Sequence, residues 1–127
     1  MRDRPAAGEK PVIWVGSAKR DLLCFPAAVV REVGAALSVA QYGDTHPAVK
    51  AWKGEGSGVL EIVQDFDRSI YRAVYTIRFR SAIYVLHCFQ KKSPSGIRTA
   101  KQDVELIGKR LRDARVDCEG RYGKGAT

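Results

Sequence analysis

Residues Ser69–Ser95, SIYRAVYTIRFRSAIYVLHCFQKKSPS, decide the fold. From Tyr71 to Phe79 the side chains alternate: Tyr71, Ala73, Tyr75, Ile77 and Phe79 point one way, and Arg72, Val74, Thr76 and Arg78 the other. The next run, Ile83 to Phe89, is almost uniformly apolar, which fits a central strand covered on both faces. Arg80-Ser81 joins the two, and the second strand ends in Lys91-Lys92. A buried sheet that terminates in Arg and Lys holds positive charge on a rigid platform, an arrangement suited to a phosphate backbone.

Upstream, Val59–Phe66 has the composition of a further strand, and Asp67-Arg68-Ser69 is a tight connection into strand Ile70–Phe79. With Ala82–Gln90 these make an antiparallel meander. Val12-Ile13-Trp14-Val15 is a first strand, and Ser17 is placed to cap a short helix through about Phe25. Pro26 suits the first turn of a second helix, whose Val30, Val33, Leu37 and Ala40 share one face. Residues 43–58 hold Pro47 and four glycines and are expected to be a loop. A last helix, about Thr99 to Arg115, lines Val104, Ile107, Leu111 and Ala114 along one side.

The order β-α-α-β-β-β-α predicts an α+β fold, with an N-terminal strand and helical hairpin packed on a small antiparallel sheet and a C-terminal helix. Helices are expected over one face of the sheet, leaving an open concave face carrying Arg and Lys. The expected organisation is a loose leader at 1–10, one domain at 11–116 and a frayed tail at 117–127.

The net charge is +8, and it is unevenly placed. Residues 1–64 carry 8 Lys and Arg against 7 Asp and Glu, whereas residues 65–127 carry 14 against 7. A one-sided basic surface attracts polyanions, of which nucleic acid is the usual one, although the same charge also serves plain solubility. Cys24, Cys88 and Cys118 are odd in number and far apart, which excludes a disulfide framework or a zinc site and fits a reducing, cytoplasmic compartment. No apolar run reaches membrane-spanning length, and neither metal nor cofactor is expected.

Several motifs occur together in order: Ile13-Trp14-x-Gly16-Ser17, Trp52-Lys53-Gly54-x-Gly56-Ser57-Gly58, Leu60-Glu61 and Tyr71-Arg72-x-x-Tyr75. They continue in Ile83-Tyr84-Val85-Leu86-His87-x-Phe89-x-Lys91-Lys92-Ser93 and Gly96-Ile97-x-Thr99. Over roughly residues 11–115 the chain resembles the phage-derived HigB-like branch of the RelE/ParE toxin superfamily. The resemblance implies the toxin of a type II toxin–antitoxin pair, an endoribonuclease that cleaves mRNA, often on the ribosome. It also implies a small helix-turn-helix antitoxin as partner. Related ParE toxins inhibit DNA gyrase and cleave no RNA, so a ParE-like gyrase inhibitor and an inactive phage-derived binding protein are the alternatives.

Metal-independent RNA cleavage needs a base for the 2′-hydroxyl, cations for the crowded phosphate and an acid for the leaving oxygen. Arg72 is the first choice for the phosphate, because its planar fork binds two oxygens; structurally it would instead pair with Glu61 or Asp65 across the sheet. Glu61 is a candidate base or the group that orients Arg72. Lys91 and Lys92 are candidates for proton transfer, with one of them facing the site. His87 has the right chemistry for an acid or base, but it alternates with Ile83, Val85 and Phe89 and is expected to be a core histidine if that face packs on helices. Lys50, Trp52 and Lys53 form a strip on which a base can stack between phosphate contacts, although a buried anchor is the commoner use of such a Trp. Arg68, Arg78, Arg80 and Arg98 are candidate backbone contacts, and Arg110, Arg112 and Arg115 are read as the solvent face of the last helix.

Overall fold

A computed structural model describes residues 8–91 and 100–126 of the chain. Five strands form one mixed sheet in the order β1-β5-β4-β3-β2. They are β1 (Val12–Trp14), β2 (Val49–Ala51), β3 (Val59–Phe66), β4 (Ser69–Thr76) and β5 (Ile83–Lys91). The helices are α1 (Ala18–Leu23), α2 (Ala27–Gln41) and α3 (Lys101–Tyr122). The fold is α+β, as the order of elements predicts.

β3, β4 and β5 form the expected antiparallel meander, and β3 and β4 are joined by the two residues Asp67 and Arg68. Both of those have positive φ, 48° and 67°, as a tight hairpin turn demands, although neither is glycine. β1 lies parallel to β5, with Val12 opposite Ile83 and Trp14 opposite Val85, so the sheet is mixed rather than wholly antiparallel. A parallel neighbour needs a long crossover, and here everything from α1 to β4 supplies it.

The expected open face is absent. Against one face pack α1 and α2, through Ala18, Leu22, Val29, Val33, Ala36, Leu37 and Ala40, onto Ile62, Tyr71, Ala73, Tyr75, Ile83, Val85 and Cys88. Against the other packs α3, through Ile107, Leu111, Ala114 and Cys118, onto Val59, Val74, Tyr84, Leu86 and Phe89. Ile83 to Phe89 are all buried, so β5 is covered on both sides. Its unbroken apolar composition reflects that position.

Five further expectations are corrected. The 43–58 segment is not all loop, because Val49–Ala51 pairs with Leu60–Ile62 as an edge strand; its Val-Lys-Ala is too short for alternation to register. β4 stops at Thr76, whose hydroxyl donates to the Gly58 carbonyl (2.7 Å) and receives the Arg78 N–H (3.1 Å), turning the chain before Phe79. The last helix runs beyond Arg115 to Tyr122, through the stretch expected to fray from Asp117. Cys118 is fully buried there, and Tyr84 Oη donates to the Asp117 carboxylate at 2.6 Å, which ties that turn to the sheet. Within the expected leader, Lys10 is held at both backbone groups: its N–H reaches the Gln41 carbonyl (2.9 Å), and its own carbonyl receives Gln41 Nε2 (2.7 Å). Ser17 does not cap α1 with its hydroxyl, which donates instead to the Asp21 carboxylate at 2.7 Å.

Cys24 is exposed while Cys88 and Cys118 are buried, and burial pushes the Cys88 thiol up to about 12. Brief alkylation of the native protein is therefore expected to modify Cys24 alone, with the other two reacting only in denaturant; mass spectrometry of the peptides checks this. The Tyr84 hydrogen bond, aided by Arg121, holds the Asp117 carboxyl below its ordinary 3.8. A depressed carboxyl stabilises the fold fully above the unfolded value and loses that contribution as pH falls through the lowered one. Tyr84→Phe should thus narrow the stability difference between pH 6 and pH 3, read by denaturant titration at each pH.

Candidate functional site

Strand register places the polar candidates on one face of the sheet, the one α3 covers. Glu61 of β3 lies between Lys50 of β2 and Val74 of β4, and Val74 lies opposite His87 of β5. One row on, Val63, Arg72 and Phe89 stand side by side. Adjacent residues on a face are close enough for side chains to meet, and diagonal ones are within reach of long ones.

Glu61 is 6% exposed, and Arg72 reaches diagonally so that its Nη1 donates to the Glu61 carboxylate. Of the two partners expected for Arg72, Glu61 is the one engaged. A carboxylate this buried requires a cation, so the pair is structural in the first instance. One donor is left over: Arg72 Nε is buried and has no protein partner.

His87 shows the same half-satisfied state. Its Nε2 lies 2.7 Å from the Asp103 carboxylate at the start of α3, and its Nδ1 is buried with no protein partner. The ring stacks on Phe89, centroids 4.7 Å apart and planes 16° from parallel. The core histidine that the sequence allows is thus present, with Phe89 on its face but Ile83 and Val85 on the opposite one. Simple alternation groups His87 with Ile83 and Val85 toward α1 and α2. In the structure Val74 pairs with His87 while its neighbour Tyr75 pairs with Val85, leaving Leu86 unpaired in a β-bulge. One extra residue reverses the alternation, so Leu86 and His87 both face α3.

Arg110 holds that bulge. Its Nη1 donates to the Leu86 carbonyl at 2.9 Å, and its Nη2 lies 3.1 Å from Ser17 Oγ. Space for the guanidinium exists because residue 16 is glycine: a Cβ there would come within 2.9 Å of Arg110 Nη2. Arg110 is therefore an internal clamp and not part of the solvent face of α3. Ile107, Leu111 and Ala114 mark the buried side of that helix, and Arg110 stands three residues from the first and four from the last. Asp103, likewise missed, stands four residues before Ile107. Polar residues at core spacing were the available signal for both.

The remaining candidates do not converge on one point. Arg78 is clamped onto the glycine loop, donating to the carbonyls of Glu55 (2.5 Å) and Ser57 (2.9 Å). Arg80 donates to the Gly125 carbonyl at 3.1 Å. Trp52 is 6% exposed in the core beneath α3, so it serves as an anchor and offers no open ring for stacking. Lys50 and Lys53 are exposed, as is Arg68 in the β3–β4 turn, and Lys91 is half-buried at the end of β5, opposite Ile70. Lys92 and Arg98 lie outside the described residues. Among the described residues no three His, Cys, Asp or Glu side chains gather as a metal-binding group, and no helix is long and apolar enough to cross a membrane.

The family model for phage-derived Gp49-like proteins matches residues 20–112. This chain belongs to the Gp49-like family. Glu61, Arg72, His87, Asp103 and Arg110 of the Gp49-like chain all fall within the matched span, as do β2 to β5. No curated protein matches the chain.

Removing Arg72 alone orphans a buried carboxylate. Arg72→Ala is expected to destabilise the Gp49-like fold by about 3 kcal/mol, whereas Glu61→Gln combined with Arg72→Met, which removes both charges, should cost markedly less. Urea titration of the two variants against the parent checks the ordering.

Proposed function

We propose that this Gp49-like chain is the toxin of a type II toxin–antitoxin pair, of the HigB-like branch, and acts as a metal-independent endoribonuclease on mRNA. Its family is associated with the toxins of such pairs. The observation that carries the chemistry is the pair of half-satisfied groups on one sheet face, Arg72 Nε and His87 Nδ1, each buried without a partner while its other end is fixed by a carboxylate. Buried polar atoms left unpaired cost free energy, and in a rigid setting they mark places where a ligand completes the hydrogen bonding.

RNA supplies its own nucleophile, the 2′-hydroxyl, so the protein need contribute only charge and proton transfer. Arg72, whose side chain is 18% exposed, is the cation for a phosphate oxygen, and Glu61 holds the guanidinium in plane for it. His87 is the proton-transfer group, with Asp103 fixing the ring through Nε2 and leaving Nδ1 to exchange the proton. Lys91, Lys50, Lys53 and Arg68 are the exposed or half-exposed cations that draw in the RNA backbone. The partner is a helix-turn-helix antitoxin with an acidic segment that neutralises these cations.

Expression in bacteria without the antitoxin, followed by mapping of mRNA 5′ ends, tests the proposal. New 5′ ends inside coding regions are expected, and the Glu61→Gln/Arg72→Met variant, which keeps no buried lone charge, should lose them. Growth arrest with no new ends would overturn the ribonuclease assignment in favour of a binding target such as gyrase.

A further inference from the structure

Beyond the groups placed at the reacting centre, one residue of α3, the helix that covers their face of the sheet, governs them. We infer that Arg110 is a positioning residue of this site: by holding the Leu86 carbonyl it fixes the bulge that turns His87 toward Asp103 and the Arg72 face. Its effect on activity rests on the ribonuclease function proposed above, whereas its effect on His87 does not.

Three observations carry this. In the ladder between β4 and β5, Leu86 has no partner residue, and it lies in a strand buried on both faces. A buried carbonyl in that position needs a donor from elsewhere, and Arg110 Nη1 is that donor at 2.9 Å. Then the register is at stake: without the extra residue, His87 would follow Val85 onto the α1–α2 side, where neither Asp103 nor Arg72 is found. Lastly, the guanidinium is itself held. Arg110 Nη2 meets Ser17 Oγ at 3.1 Å, and the Ser17 hydroxyl donates to the Asp21 carboxylate at 2.7 Å, so its charge is answered through a serine relay. Gly16, with φ of 55°, keeps the space for it clear.

The clamp also joins the two halves of the site. Asp103 and Arg110 are both on α3, two turns apart, and one fixes the ring while the other fixes the backbone next to it. α3 thereby grips β5 at consecutive residues, Leu86 by its carbonyl and His87 by its imidazole.

The test compares Arg110→Met with Arg110→Lys in the full chain, each alone and with His87→Gln. Nitrogen-15 NMR of the imidazole reports the Nε2 hydrogen bond to Asp103 directly, and single-turnover cleavage of a short RNA reports activity. Arg110→Met should abolish the His87–Asp103 hydrogen bond and slow cleavage about 100-fold, the scale on which misplacing a catalytic group acts. In the His87→Gln background it should cost almost nothing further, because the two act through one group. Arg110→Lys, whose ammonium still reaches the carbonyl, should restore the hydrogen bond and most of the rate. An intact His87–Asp103 hydrogen bond in Arg110→Met, or an equal loss of rate with and without His87, overturns the assignment. If Arg110→Met does not fold, Arg110→Gln, which stays polar but is too short to hold both the Leu86 carbonyl and Ser17, decides by the same non-additivity. If the parent cleaves no RNA, the ribonuclease function fails, and the imidazole spectrum still decides whether Arg110 positions His87.

Discussion

Everything in this fold follows from β5 being covered on both faces. A strand with one wet face tolerates an irregular ladder, because water satisfies whatever the neighbour does not. Here Ile83 to Phe89 are buried, α1 and α2 lie on one side and α3 on the other, so every departure from regular pairing has to be answered by a side chain. The bulge at Leu86 is such a departure, and Arg110 is the answer.

The same constraint explains where the positive charge has gone. Residues 65–127 carry twice as many basic as acidic residues, which from sequence suggests a continuous cationic surface. Several of those cations face inward or bind their own backbone: Arg110 on the Leu86 carbonyl, Arg78 on the glycine loop, Arg80 on Gly125 and Arg72 on Glu61. Arg115 lies over the Phe79 ring at 5.7 Å. Guanidinium suits these tasks because it offers several donors in a fixed plane and is weakly hydrated for its charge. The sheet is thus fastened by arginines at its rim and on its α3 side, while Arg68, Lys101, Lys109 and Arg112 remain exposed.

How much of this was legible depended on periodicity. The long strands of the meander were readable because Val59–Phe66 and Tyr71–Thr76 follow a pattern set by burial, and α2 because Val33, Leu37 and Ala40 repeat at helical spacing. The three-residue β2 was not readable, since Val49–Ala51 holds too few residues to show alternation, and its pairing with β3 is a tertiary event. His87 was legible as a core histidine, but its grouping with Ile83 and Val85 failed, because a bulge leaves no trace in composition and reverses all that follows it. The Glu61–Arg72 pairing was one of two options that strand alternation allows; choosing between Glu61 and Asp65 required the register. Asp103 and Arg110 were hidden for a different reason: polar residues on α3 look like solvent-facing ones unless their spacing from Ile107 is weighed.

The parallel pairing of β1 with β5 has a bearing on how the chain comes to be folded at all. Val12 finds its partner at Ile83, about 70 residues later, and α1 and α2 pack on a sheet in which the last strand to be made, β5, lies between β1 and β4. Closing so long a loop before any contact rewards it is slow, and local helices form far sooner. On the ribosome the first third of the chain would emerge as a helical hairpin with its apolar side uncovered, waiting for β5 to arrive. The polar groups gathered beneath α3 come together only after that, when residues beyond 100 are synthesised, so the nascent protein remains without its assembled site until α3 has been translated.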